Sequence, residues 1–377
     1  MSAAVEAEGA LGLFLELAAI PSPSRQERIV MDRCVAYLRD LGLDPHEDPP
    51  PLPGDQAGNV ICRIPATAGE TGTPIMFCAH VDTVEPTAPI EPVVVDGIVT
   101  NARTTILGGD NKAAVAAMLE GLRRVVAENR PHAGIELILS VQEEIGLFGV
   151  KALDCSQLAA RISYVYDHSA PIGGLVNACP SQYSVDATFL GRSAHAGIEP
   201  EAGRNAIAAA ARALAEMRFG RLDDGTTANV GTIAGGTARN VVPERCDVRL
   251  EVRSLDHERA LKESQAMLDA LAHAANAAEC ELETAVTLEY RAYKLRRTDP
   301  VVQVAWTALE SCGFTPELHA TGGGADAHLF NANGIPCLNI ANGMQLIHTP
   351  DERIAVADIE SMVDVTLALV EGARTAS

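Results

Sequence analysis

Ala79-His80-Val81-Asp82-Thr83 follows the apolar run Ile75-Met76-Phe77-Cys78 and leads into the turn-rich Glu85-Pro86-Thr87-Ala88-Pro89. The run reads as a short buried strand, in which residues two apart share a face, so His80 and Asp82 project together. A histidine that binds a metal usually donates its other ring N–H to a carboxylate, which fixes the tautomer and raises the basicity of the coordinating nitrogen. Asp110, the pair Glu143-Glu144, Asp167 and His348 fall at the C-terminal ends of predicted strands or in the loops after them, where open α/β sheets bind ligands. Asp110 follows two glycines at the start of a helix, so its carboxylate can reach a site with little steric obstruction. Carboxylates combined with two histidines suit divalent zinc, cobalt or manganese better than calcium, which prefers oxygen ligands alone. Two adjacent carboxylates in a loop can face different ways. One can bind metal while the other stands beside the bound water as a general base, which is what hydrolysis needs.

The elements that must place these groups are legible from spacing. A first helix is expected over about 9–20, and Ser24-x-x-Glu27 reads as a capping box opening a helix to about Leu41, with Gly42 after it. Residues 59–64 and 75–78 read as strands. Gly108-Gly109-Asp110-Asn111 reads as a tight turn into a helix whose Val115, Leu119, Leu122 and Val126 form one buried face. Residues 135–141 form a further apolar strand. This alternation predicts an α/β fold, a mostly parallel sheet with helices on both faces. Near residue 180 the character changes. Strands at 181–190, 227–234, 242–253 and 280–290 alternate with helices at 203–217 and 256–278, the second with Leu261, Leu268, Leu271 and Ala275 on one side. That order is βαββαβ, a ferredoxin-like unit. The expected division is a first catalytic segment 1–178, an inserted domain 179–292 and a second catalytic segment 293–377.

Composition narrows the partners. A formal charge of −21 argues against nucleic acid and anionic membrane surfaces as partners, both of which need a basic face. Nine cysteines are scattered singly with no Cys-x-x-Cys, which fits neither a disulfide framework nor a thiolate zinc site and points to a reducing, cytoplasmic setting. The apolar 9–20 stretch lacks a basic n-region, contains Glu16 and runs into Ile20-Pro21-Ser22-Pro23 without a small-residue cleavage site, unlike a signal peptide. No uninterrupted apolar stretch of about 18 residues is present to span a membrane. On 247–253, Arg249 and Arg253 share a polar face, and either guanidinium could clamp a substrate carboxylate in a forked geometry.

The chain resembles the dinuclear-zinc aminoacylase and carboxypeptidase family of metallopeptidases, most closely its peptidase T-like branch. The matching segments are 79–84, Leu107-Gly108-Gly109-Asp110-Asn111-Lys112, Gln142-Glu143-Glu144-Ile145-Gly146, Asp167 before Pro171-Ile172-Gly173, Gly191-Arg192-Ser193-Ala194-His195-Ala196-Gly197, Arg239-Asn240-Val241-Val242, Gly322-Gly323-Gly324-Ala325-Asp326 and His348-Thr349-Pro350. They occur in the family's order. One departure is Thr321-Gly322-Gly323-Gly324-Ala325-Asp326, where many relatives have Gly-Gly-Thr-Asp, often after an arginine.

The resemblance implies a zinc-exopeptidase-like fold whose insertion is a lid and dimerisation domain. It implies two divalent ions per chain, most readily Zn2+, with Co2+ or Mn2+ as alternatives. His80, Asp110 and Asp167 would hold one, and Asp110, Glu144 and His348 the other, with a hydroxide between them. Asp82 would orient His80, Glu143 would act as base and then acid, and His195 would stabilise the oxyanion. Asn240, Arg253 and Gly323 are the expected substrate-binding residues, and the Asp110–Asn111 peptide is expected to be cis. The expected activity is hydrolysis of di- or tripeptides from a free amino end by a homodimer. An N-acyl-amino-acid deacylase or carboxypeptidase of the same family is the alternative, and a non-catalytic binding homologue a third reading.

Overall fold

A computed structural model describes residues 8–376. They divide into two compact units: one comprises the chain up to Asn177, Leu295–Ala320 and the chain from Ala325 onward, and the other comprises Ala178–Lys294 with Thr321–Gly324.

The first unit is built on a nine-stranded sheet. Its centre runs Ile135–Ser140, Ile75–His80, Ile162–His168 and Cys337–Ala341, all mutually parallel. Ile75–His80 and Ile135–Ser140 are buried at every position, as strands covered on both faces must be. Away from this centre the pairing turns antiparallel: Val60–Ile64 on Ile135–Ser140, and Gly174–Cys179 on Cys337–Ala341. The sheet is therefore mixed, with Ile75–His80 and Ile162–His168 in its parallel centre. A separate three-stranded sheet, which the sequence did not announce, joins Pro92–Val95, Ile98–Asn101 and Ile354–Ala355.

Helix Gly109–Ala127 is buried nearly all round rather than on one face. Ala113, Ala114, Ala116 and Ala117 let it pack against helices Gly9–Ala18 and Val356–Thr375, and a Cβ at Gly121 would lie 2.8 Å from Thr366. The expected capping box does not form. The helix begins at Arg28, Glu27 makes no side-chain cap, and the Ser24 hydroxyl is committed elsewhere.

The second unit is an antiparallel sheet in the order Gly220–Asp223, Thr226–Gly235, Arg245–Ser254, Ser181–Leu190, Glu281–Tyr290. Its last four strands have the ferredoxin-like arrangement, and Gly220–Asp223 adds a fifth at one edge. Along Ser181–Leu190 burial alternates, and Tyr183, Val185, Ala187 and Phe189 meet helices Ala206–Glu216 and His257–Ala277. The second helix buries Ala260, Ser264, Met267, Leu271, Ala274 and Ala275. Its face is therefore rotated from the one expected, and Leu261 is 44% exposed. Among the described residues no helix is long and apolar enough to cross a membrane.

Candidate metal centre

His80 ends its strand and pairs in register with Ser140, so the loop carrying Glu143 and Glu144 begins beside it. Gln142 turns that loop with φ 55°, an uncommon value for a side-chain-bearing residue, and its amide donates to Asp55 Oδ2. Asp110 follows Gly108, whose φ of 74° is easy only for glycine, and the Asp110–Asn111 peptide is cis as expected. Asp167 lies near the end of its strand. Asn339 on the neighbouring strand accepts from its N–H and donates to its carbonyl, both at 2.9 Å. His348, with φ 62°, rides a loop closed by reciprocal backbone hydrogen bonds between Gln345 and Arg353.

These elements bring five expected ligands together. His80 Nε2 lies 3.4 Å from Asp110 Oδ1 and 3.7 Å from Asp167 Oδ1. His348 Nε2 lies 3.1 Å from Asp110 Oδ2 and 2.9 Å from Glu144 Oε1. The two oxygens of one carboxylate thus face two different histidine–carboxylate pairs. Ligand atoms of His80, Glu143 and Asp167 also lie within 4.8 Å of one another, so Glu143 adjoins the His80 side. His80 is almost wholly buried whereas His348 is 43% exposed, which leaves the centre open to solvent from the His348 side.

The electrostatics are those of a centre short of positive charge. Burial works against a charged His80, yet Asp110, Asp167 and Asp82 hold its pKa well above the usual imidazole value. Burial likewise opposes ionisation of Asp110, but His348 and His80 keep its carboxyl well below the usual range. Asp110 and Glu144 raise His348 to about 10. Asp167 is pushed up to about 7 by burial and by Asp110, and Glu143 rises well above its usual value through burial and the nearness of Asp167. Five carboxylates (Asp82, Asp110, Glu143, Glu144, Asp167) face two imidazoles, and Asp110 Oδ1 is buried without a hydrogen bond. Mixed oxygen and imidazole donors around an orphaned, ionised carboxylate fit divalent cations of the zinc, cobalt or manganese type.

A surrounding layer fixes these groups. The nearest contact to His80 Nδ1 is the Asp82 carbonyl, at 2.9 Å, with the Asp82 carboxylate at 3.5 Å. That carboxylate accepts from the N–H of Glu143 and of Glu144 and from the Ser24 hydroxyl, so it holds the Glu143-Glu144 loop as well as facing His80. Glu352, 2% exposed, accepts three backbone N–H groups, from Leu107, Gly108 and Asp110. Asp326 accepts from Ser140 Oγ at 2.5 Å and Cys78 Sγ at 3.7 Å, and burial lifts its pKa to about 6. Sequence reasoning missed Glu352, Asn339 and the role of Ser24. Asn339 had left a signal, a polar residue inside an apolar strand. Glu352 reads as an ordinary turn acid, and Ser24 mimics a helix cap.

The remaining expected residues belong to the second unit. His195 is exposed, bridges Val241 and accepts at Nδ1 from the Gly197 N–H. Ala196 N–H donates to the Asn240 carbonyl, so His195 and Asn240 sit on adjoining loops. Arg253 donates to the Gly322 carbonyl and to Glu251, pinning the glycine turn that contains Gly323. Gly324 in that turn must stay a glycine, because a Cβ there would lie 2.7 Å from the Tyr290 hydroxyl.

Comparison with known proteins places the chain among peptidases. Residues 182–279 match the M20 peptidase dimerisation domain, and residues 59–169 match peptidase family M28. Bacillus subtilis YqjE, an uncharacterised protein, is 38% identical over 361 residues, 96% of this chain and 97% of its own. The crystal structure of aminopeptidase PepT from Bacillus cereus is 38% identical with a TM-score of 0.87. That of a Staphylococcus aureus tripeptidase is 32% identical with a TM-score of 0.91. Each alignment covers 97% of this chain and 98% of the other.

Proposed function

This chain belongs to the M20 peptidases, in their peptidase T-like branch, and on that premise we propose that it is an aminopeptidase-like exopeptidase of di- and tripeptides. The observation that carries the proposal is the shared Asp110 carboxylate, one oxygen toward His80 and Asp167 and the other toward His348 and Glu144. Two divalent ions are assigned there, zinc foremost, with His80, Asp110 and Asp167 around one and Asp110, Glu144 and His348 around the other. When bound, such ions polarise the scissile carbonyl and lower the pKa of a water.

The chain's own residues do the rest. Glu143, held by its backbone on Asp82, takes a proton from the attacking water and returns it to the leaving nitrogen. Asp82 keeps the Glu143-Glu144 loop and the His80 ring in mutual register. His195 is assigned to the oxyanion, and Asn240 and Gly323 to the substrate backbone. Arg253 is the guanidinium a carboxylate clamp would use, but it already holds Gly322 and Glu251. The inserted domain is assigned to pairing in a homodimer, and buried thiols at Cys34, Cys62, Cys78 and Cys246 suit the cytoplasm.

The test is a panel of di- and tripeptides, N-acyl amino acids and carboxy-terminal substrates with the zinc-, cobalt- or manganese-loaded protein, before and after exhaustive chelation. Tripeptides should be cleaved fastest, and chelation should abolish turnover. Preferential hydrolysis of N-acetylated amino acids would replace this reading with the deacylase one.

A further inference from the structure

The first unit carries a pocket of about 250 Å³ that has His348 in its wall, together with Val84, Glu85, Thr87, Thr105, Ile106 and Pro350. Because His348 is both wall and candidate ligand, whatever fills the pocket adjoins the centre. The volume lies just below the roughly 300–1,000 Å³ of sites that enclose drug-sized ligands, so it suits a single amino-acid residue rather than a whole peptide. Val84, Ile106 and Pro350 supply apolar surface.

The hydroxyls of the wall are already engaged. Thr105 Oγ1 accepts from the Thr87 N–H at 2.8 Å, and Thr87 Oγ1 donates to the Thr104 carbonyl at 3.2 Å. Glu85 differs. It is exposed and, among the described residues, makes no hydrogen bond or ion pair, whereas Glu91 nearby is paired with Arg103 at 2.7 Å. No lysine or arginine lines the pocket. Apart from the imidazole of His348, its one charge is therefore an unspent carboxylate, which attracts an ammonium group and repels a carboxylate.

We propose that this pocket takes the amino-terminal residue of the substrate and that Glu85 binds its free ammonium group. The assignment rests on the exopeptidase reading and narrows it: Glu85 is a specificity residue, and peptides lacking the α-amino group bind without its help. An interaction made equally in the ground and transition states appears in KM and not in kcat.

The test compares trialanine with its des-amino analogue propionyl-Ala-Ala, followed as substrate or as competitive inhibitor, on wild-type, Glu85→Gln and Glu85→Asp proteins of equal metal content. Wild type should prefer trialanine. Glu85→Gln should raise KM for trialanine about tenfold, leave its kcat within twofold and leave the constant for propionyl-Ala-Ala unchanged, and Glu85→Asp should restore part of the difference. A Glu85→Gln protein that keeps the wild-type preference, or weakens both compounds equally, overturns the pocket assignment alone. Wild-type protein that hydrolyses no peptide overturns the exopeptidase reading and this assignment with it.

Discussion

Glu352→Gln is the perturbation that most directly tests how the centre is held. One carboxylate oxygen of Glu352 accepts from Asp110 N–H at 2.9 Å, and the other from Leu107 N–H at 2.7 Å and Gly108 N–H at 3.0 Å. Glutamine matches the shape but offers one acceptor oxygen, so its amide nitrogen must face either one backbone donor or two. In the better orientation one hydrogen bond to a charged acceptor is lost, a contribution of about 1.5–3 kcal/mol, and one buried N–H is left unmatched at a further cost of about 1–3 kcal/mol. A loss of roughly 2.5–6 kcal/mol is therefore expected, large against the ~5–15 kcal/mol stability of a typical protein. With a urea slope of about 2–3 kcal/mol/M, the unfolding midpoint should fall by roughly 1–3 M. Asp351→Asn at the exposed neighbour should change stability by no more than about 0.5 kcal/mol. Because Asp110 is among the groups held, Glu352→Gln should also weaken metal binding about 10–100-fold. An unfolding midpoint and metal affinity both equal to wild type would refute the argument that Glu352 fastens the Asp110 turn.

Glu143→Ala should keep wild-type metal content by elemental analysis and lose nearly all turnover, whereas Glu144→Ala should lose metal. Equal metal loss in both would overturn the division of labour between them. Glu27 is buried, with Oε1 accepting from the Arg25 N–H and Oε2 unpartnered, and burial with help from Asp82 pushes its pKa from 4.5 to about 7. A carboxyl raised in this way favours the folded state most fully below pH 4.5, and its contribution is lost as pH climbs through 7. Wild type should therefore lose stability between about pH 4.5 and 7 relative to Glu27→Gln, and parallel denaturation profiles would sink that assignment. Mixing Glu143→Ala with His195→Ala chains under subunit exchange should restore activity if His195 serves a neighbouring subunit, because one site of each mixed dimer then has both residues. A mixture that stays inactive despite demonstrated exchange confines His195 to its own chain.

The local chemistry of this protein is written in short stretches. The apolar run Ile75-Met76-Phe77-Cys78 put His80 at the end of a buried strand, Gly108-Gly109 announced the turn that frees Asp110, and the adjacent acids Glu143 and Glu144 marked a loop after another strand. Each depends on neighbours within a few residues, so each is legible without the fold. What the chain could not disclose alone is the use of donors and acceptors between residues far apart in sequence. Ser24 has the residue type and spacing of a helix cap, yet the helix begins only at Arg28 and the Ser24 hydroxyl donates to the Asp82 carboxylate that also accepts from the N–H of Glu143 and Glu144. Glu352 looks like a surface acid until the small Ile98–Asn101 and Ile354–Ala355 pairing carries it beneath the Asp110 turn, where three unsatisfied N–H groups need an acceptor. Arg253 alternates as a substrate clamp would, and only the fold shows that one of its N–H groups donates to the Gly322 carbonyl. Ligand identity follows from residue type and local geometry. Which polar groups remain free to meet a substrate is decided only once packing has assigned partners to all the others.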